Sequence, residues 1–132
     1  MKLKQDCVRY VLLALEAQEI GMLNRGAQSS EIVKQLTNDH FSADDILYTL
    51  WQLAEGKFIS ADCQKYSNGI WLNVFDITWQ GHEFLDSIRD DEVWKQTKKA
   101  TSSLKSVSIS ILKNVATAVL TGMIKQATGL PI

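Results

Sequence analysis

Along residues 6–17, Val8, Val11, Leu12 and Leu15 recur at intervals of three and four, which lines them along one side of a helix. Residues 19–28 hold Gly21, Asn24 and Gly26 and read as a loop. A short second helix follows, capped by Ser29 or Ser30, with Glu31 in its first turn and Ile32, Val33 and Leu36 facing inward. Ser42-Ala43-Asp44-Asp45 has the spacing of a reciprocal cap, in which the serine hydroxyl and the acid three places later satisfy each other's orphan amides. The third helix that starts there carries Ile46, Leu47, Leu50, Leu53 and Ala54, and Gly56 is read as the left-handed residue that closes it. Two strands, 57–66 and 70–77, then flank Ser67-Asn68-Gly69. Centring the turn on Asn68-Gly69 sets Tyr66 opposite Trp71 and Cys63 opposite Val74. Thr78 caps a further helix through Phe84, Leu85 and Ile88, and Asp90-Asp91 re-caps or bends it before Val93 and Trp94 carry it on to Lys99.

Residues 100–110 are rich in serine and threonine, and from 111 to 127 Leu112, Val115, Val119, Leu120, Met123 and Ile124 form a broad apolar face. The order of elements is helix, helix, helix, strand, strand, helix. That order predicts an α+β, mainly helical fold: a winged helix-turn-helix with a two-stranded β-wing over residues 1–100, a hinge at 101–110, and a C-terminal amphipathic helix and tail over 111–132.

Composition bounds what such a fold can do. The 132 residues, 45% hydrophobic, suffice for a single core. Fourteen basic and fifteen acidic residues leave a formal charge of -1, so no overall positive field draws the chain to nucleic acid, and any basic footprint must be local. Cys7 and Cys63 fit reduced thiols that act as small apolar fillers, and the opening residues do not resemble a secretory signal, so a cytoplasmic location is expected. The uncharged run 114–124 is too short to cross a bilayer. The last helix is therefore expected to dock on protein. Leu112, Val115, Ala118, Val119, Gly122 and Met123 form either an intramolecular contact or a self-association face, since Ala118 and Gly122 permit close approach.

Catalytic chemistry finds no support in the spacing. His82 and Glu83 are adjacent and diverge around a helix, His82 reading as a partly buried helix-face residue, and His40 lies far from both. Gly21 and Gly26 do not match a nucleotide loop. No enzyme activity, cofactor, metal or small-molecule substrate is expected. The third helix has no Lys or Arg between Asp44 and Glu55, which disfavours a phosphate-lined groove. Asp44, Asp45, Tyr48, Trp51, Gln52 and Glu55 are therefore candidates for docking a protein partner, which is expected ahead of DNA. The alternative is a DNA-binding regulator using Lys34, Tyr48, Thr49, Gln52, Lys57, Lys65 and Asn68. Of Trp51, Trp71, Trp79 and Trp94, at most one or two are expected to be exposed. Asp86, Asp90, Asp91 and Glu92 read as a solvated face with Arg89 pairing locally.

Three runs carry a family resemblance. They are the opening helix Asp6-Cys7-Val8-Arg9-Tyr10-Val11-Leu12, the helix-to-strand run Leu53-Ala54-Glu55-Gly56-Lys57-Phe58-Ile59, and above all Thr78-Trp79-Gln80-Gly81-His82-Glu83-Phe84-Leu85 with Asp90-Asp91 and Val93-Trp94. With these the chain resembles an uncharacterised phage and prophage family, domain of unknown function 2513. The resemblance implies a mobile-element origin and a winged-helix-like body. That family carries no assigned activity, so the resemblance brings no site residues with it.

Overall fold

The computed structural model describes residues 2–18 and 25–129. Among them are six helices and a three-stranded antiparallel sheet, a mixed α+β and mainly helical fold. The chain runs α1 (Gln5–Glu16), β1 (Ala27–Gln28), α2 (Ser29–Leu36), α3 (Ala43–Glu55), β2 (Ile59–Tyr66), β3 (Gly69–Ile77), α4 (Trp79–Ile88), α5 (Asp91–Thr101) and α6 (Ile109–Thr128). The periodic residues of α1 are buried as expected, together with Cys7. They meet the inner sides of α3 and α4, where the Phe58 and Phe84 rings lie 5.5 Å apart.

The sheet differs from the expected two-stranded hairpin. Ala27 and Gln28 pair with Val74 and Asn73, giving the strand order β1-β3-β2. Part of the predicted loop is therefore a strand, while Gly21 and Asn24 lie outside the described residues. This pairing also moves the start of α2. Ser29 does not cap the helix; it is its buried first residue, and its hydroxyl accepts a hydrogen bond from the Leu72 amide at 3.0 Å. A buried amide beside a two-residue strand needs a partner, and the serine supplies it.

The hairpin register is corrected as well. Tyr66 pairs with Gly69, Gln64 with Trp71 and Cys63 with Leu72, so the turn is Ser67-Asn68. The observed and expected registers differ by two residues. A two-residue slip leaves every side chain on its original face, so the hydrophobic pattern could not distinguish them. A bulge between Ser60 and Ala61 restores the pairing of Ile59 with Ile77.

The N-caps expected at Ser42, Thr78 and Asp90 are present. The Ser42 hydroxyl accepts from the Asp45 amide at 3.2 Å, and the Asp45 carboxylate accepts from the Ser42 amide at 3.0 Å. At the other end of α3, Gly56 is right-handed and Lys57 takes the left-handed conformation, with φ 63°. Glycine is required at 56 for room, since a Cβ there would come 2.8 Å from the Phe58 ring. Asp90 caps α5, accepting from the Glu92 and Val93 amides at 2.9 and 3.1 Å. Between α4 and α5, Arg9 reaches across from α1. Its Nε donates to the Ile88 carbonyl, and one terminal nitrogen reaches the Arg89 carbonyl and the Asp91 carboxylate, each at 2.8 Å. The break in the helix is thus closed by both an N-cap and a cation on the preceding carbonyls.

At the β3–α4 junction the chain packs backbone against backbone. The Thr78 hydroxyl accepts from the Gly81 amide at 3.1 Å and donates to the Lys57 carbonyl at 2.7 Å, while the Thr78 amide donates to the Phe58 carbonyl at 3.0 Å. A Cβ on Gly81 would stand 1.9 Å from the Phe58 oxygen, closer than any contact can be. After Thr101 a link leads to Ser108, which caps α6 through the Ile111 amide at 3.2 Å. Only the first half of α6 is buried, through Ile109, Leu112 and Ala116 against α4 and α5.

Gly81→Ala is expected to destabilise the fold by about 3 kcal/mol or more, because backbone must move to accept the methyl group. Thr78→Ala, which loses the cap, is expected to cost about 1 kcal/mol. Urea denaturation of the two variants checks the ranking, and equal stability of Gly81→Ala and wild type would contradict the packing described.

Candidate functional site

The exposed side of α3 is defined by what its other side buries. Asp45, Ile46, Thr49, Leu50 and Leu53 face the core, leaving Asp44, Tyr48, Trp51, Gln52 and Glu55 along the surface. Tyr48 and Trp51 meet edge to face with ring centroids 6.1 Å apart, and the Trp51 indole donates to Glu55 at 2.9 Å. The hairpin leans over this face. Its register turns Ala61, Cys63 and Lys65 toward α3, and the Lys65 ammonium rests 4.5 Å from the centroid of the Trp51 ring. The result is a small aromatic step with a cation stacked on it and a carboxylate at either end, Asp44 and Glu55.

Two candidate residues do not belong to this surface. Asp45 is buried, engaged by the capping box and by the Lys4 ammonium at 2.8 Å. Thr49 is 1% exposed; its hydroxyl donates to the Asp45 carbonyl at 2.8 Å and lies 3.3 Å from the Cys7 sulfur, so it can read neither base nor partner. A polar residue on the core side of a helix interrupts the periodic pattern and so mimics an exposed one. Lys34, Lys57, Lys65 and Asn68 are all exposed, on α2, at the end of α3, on β2 and at the hairpin turn. Of the residues proposed for self-association, Leu112 is buried on its own domain, Val115, Val119 and Met123 are half-buried, and Ala118 and Gly122 are exposed.

The tryptophans grade from buried Trp94, whose indole donates to Asp6 at 2.9 Å, through half-buried Trp51 and Trp71, to Trp79 at 81% exposure. The acidic set is in part engaged: Arg89 pairs with Asp86 at 3.1 Å and with Glu16 at 2.6 Å, Arg9 holds Asp91, and Asp90 is a cap. His82 is exposed, not partly buried. Cys63 is exposed as well, because β2 outreaches the body and buries little beyond Ile59. Burial pushes the Cys7 thiol up from its ordinary range. The Lys4 ammonium, followed by the Ser42 amide, holds the Asp45 carboxyl below its ordinary value, and Arg89 does the same for Glu16.

Charge is segregated along the chain in a way that the total of -1 conceals. Residues 93–132 contain six lysines and no Asp or Glu, whereas residues 1–92 contain eight basic and fifteen acidic residues. A running count of charge would have found it. No helix among the described residues is long and apolar enough to cross a membrane.

Residues 2–108 match the family described as a hypothetical protein, DUF2513. The chain belongs to the DUF2513 family. The match to DUF2513 ends at Ser108, the residue that caps α6. An uncharacterized protein of Haemophilus influenzae (strain ATCC 51907 / DSM 11121 / KW20 / Rd) is 32% identical to this DUF2513 chain over 126 residues, which cover 94% of this chain and 99% of that protein. No solved structure matches it.

The Asp45 geometry gives a pH dependence. Its folded-state pKa is depressed, so its contribution to stability is present above the ordinary aspartate value of 3.8 and is lost as pH falls below that value. Asp45→Asn is expected to cost about 1 to 2 kcal/mol at pH 7, the scale of a lost cap. The gap to wild type should close as pH drops below 3.8. Thermal melts from neutral to acid pH check this.

Proposed function

We propose that this DUF2513 protein is a winged-helix module, of the phage or prophage setting its resemblance implies, that acts by binding another protein and not by catalysis. The element order, with β1 between the first two helices and a hairpin after the third, supports the winged-helix reading. One observation carries the choice of partner. The exposed face of α3 bears Asp44 and Glu55 but no cation of its own, and Lys65, which reaches it from β2, is stacked on Trp51. Such a face would be repelled by phosphate, while a Tyr–Trp step ringed by polar groups is the kind of surface that anchors a protein contact. DNA binding through Tyr48, Gln52, Lys57, Lys65 and Asn68 is the alternative reading, and it loses Thr49 to the core.

The second half of α6 supports a further contact of the same class. Ala118, Val119, Gly122 and Met123 border a groove against Gln96, Lys99 and Ala100 of α5, with no chain covering it among the described residues. Self-association through this groove fits its small residues, which allow a second helix close approach.

Affinity capture with wild type and Trp51→Ala tests the main reading. A protein retained by wild type should be lost by the variant, whose fold is expected to persist because Trp51 is only half-buried. Salt-dependent retention of duplex DNA that disappears on Lys57→Glu/Lys65→Glu would transfer the α3 face to the DNA alternative. Light scattering tests the groove: Val119→Lys/Met123→Lys should lower the mass of an assembled wild type to that of a monomer.

A further inference from the structure

The cations of the body share their part of the chain with fifteen acidic residues, whereas those of the C-terminal third have none beside them in sequence. Lys4, Arg9 and Arg89 each hold a carboxylate. Among the six lysines of residues 93–132 only Lys98 does so, with Asp6 at 3.0 Å. Lys95, Lys99, Lys105, Lys113 and Lys125 have no ion-pair partner among the described residues, and their segment supplies no acid. Three of them flank the turn from α5 into α6 along the chain: Lys99 in the last turn of α5, Lys105 in the link, and Lys113 in the second turn of α6. The same turn exposes two aliphatic side chains, Leu104 at 52% and Ile111 at 45%. The Leu104 amide is satisfied by the Thr101 carbonyl at 3.1 Å, so a closed turn presents the side chain outward.

From this juxtaposition we propose that the α5–α6 turn docks on an anionic lipid surface. Leu104 and Ile111 would enter the interface, and Lys99, Lys105 and Lys113 would lie against headgroup phosphates, their long stems covering apolar surface while the ammonium groups stay wet. Charge complementarity selects the anionic surface. The exposed aliphatics select lipid over nucleic acid, because a phosphate backbone offers an exposed leucine or isoleucine nothing to bury against. Neither signal is sufficient alone, and reversible binding to a membrane surface characteristically needs both. Each lysine held near an anionic surface contributes about fivefold to binding, so the three together supply roughly a hundredfold. This contact is independent of the α3 reading and requires no helix to cross the bilayer.

The experiment is co-flotation of the full chain with vesicles of phosphatidylcholine alone or of phosphatidylcholine with about one-third phosphatidylglycerol, over a range of salt. Expected are binding to the anionic vesicles only, its loss at high salt, a fall of about 25-fold or more in Lys105→Glu/Lys113→Glu, and a comparable fall in Leu104→Asp. Thermal melts should be unchanged in each variant, since Leu104 and Lys105 are exposed and Lys113 is only half-buried. Absence of binding to anionic vesicles at every salt concentration overturns the proposal. So does retention on duplex DNA that matches or exceeds vesicle binding and ignores Leu104→Asp, which would make the turn a nucleic-acid contact. A dimer abolished by Leu104→Asp without vesicle binding would assign the turn to a second copy and overturn it equally.

Discussion

The architecture depends on the place where the end of α3 and the start of α4 share one carbonyl. The Phe58 oxygen accepts from the Thr78 amide and also sits over Gly81, where no side chain can fit. The Thr78 hydroxyl ties down the neighbouring Lys57 carbonyl while it caps α4. Both roots of the hairpin are thereby fixed to the same point. Phe58 is held against Phe84, and β2 leaves α3 in a direction that carries Lys65 back across Trp51. The surface feature is set from below, by a junction that is itself almost wholly backbone.

Much of this was legible in the chain. The caps at Ser42, Thr78 and Asp90 are side-chain oxygens placed where helix amides need them, and the stripe along α1 is a direct record of burial. Other features had no local signal. β1 is two residues long, too short for any periodicity, and its pairing is stabilised by Ser29 from the next element. The hairpin slipped by two because the pleat repeats every two residues and turn chemistry alone cannot outvote a bulge further down the strands. Gly56 illustrates a glycine kept for space where its sequence context suggested handedness.

The candidate surfaces were read unevenly for a related reason. Tyr48, Trp51, Gln52, Glu55 and Asp44 share an outer face as their spacing implies, but Asp45 and Thr49, one turn apart on the opposite side, are recruited inward by Lys4, just before α1, and by Cys7 within it. Nothing near them in sequence announces those partners. The lysines after residue 92 were hidden differently, by an acidic body that cancels them in the sum. Summation discards position, and position is what an interface recognises. The two ends of the molecule consequently present unlike surfaces: an aromatic step between carboxylates on α3, and an aliphatic turn among unpaired lysines at the α5–α6 connection.

The Arg9 clamp has a bearing on biosynthesis. Its acceptors are separated from it by 79 to 82 residues, so α1 waits for that much more chain before its guanidinium finds them. Until then the apolar stripe of α1 lacks its α4 neighbour and the Arg9 guanidinium lacks its carbonyls. A nascent chain stalled before Phe84 therefore leaves the α1 stripe covered on its α3 side alone, the kind of intermediate that chaperones engage.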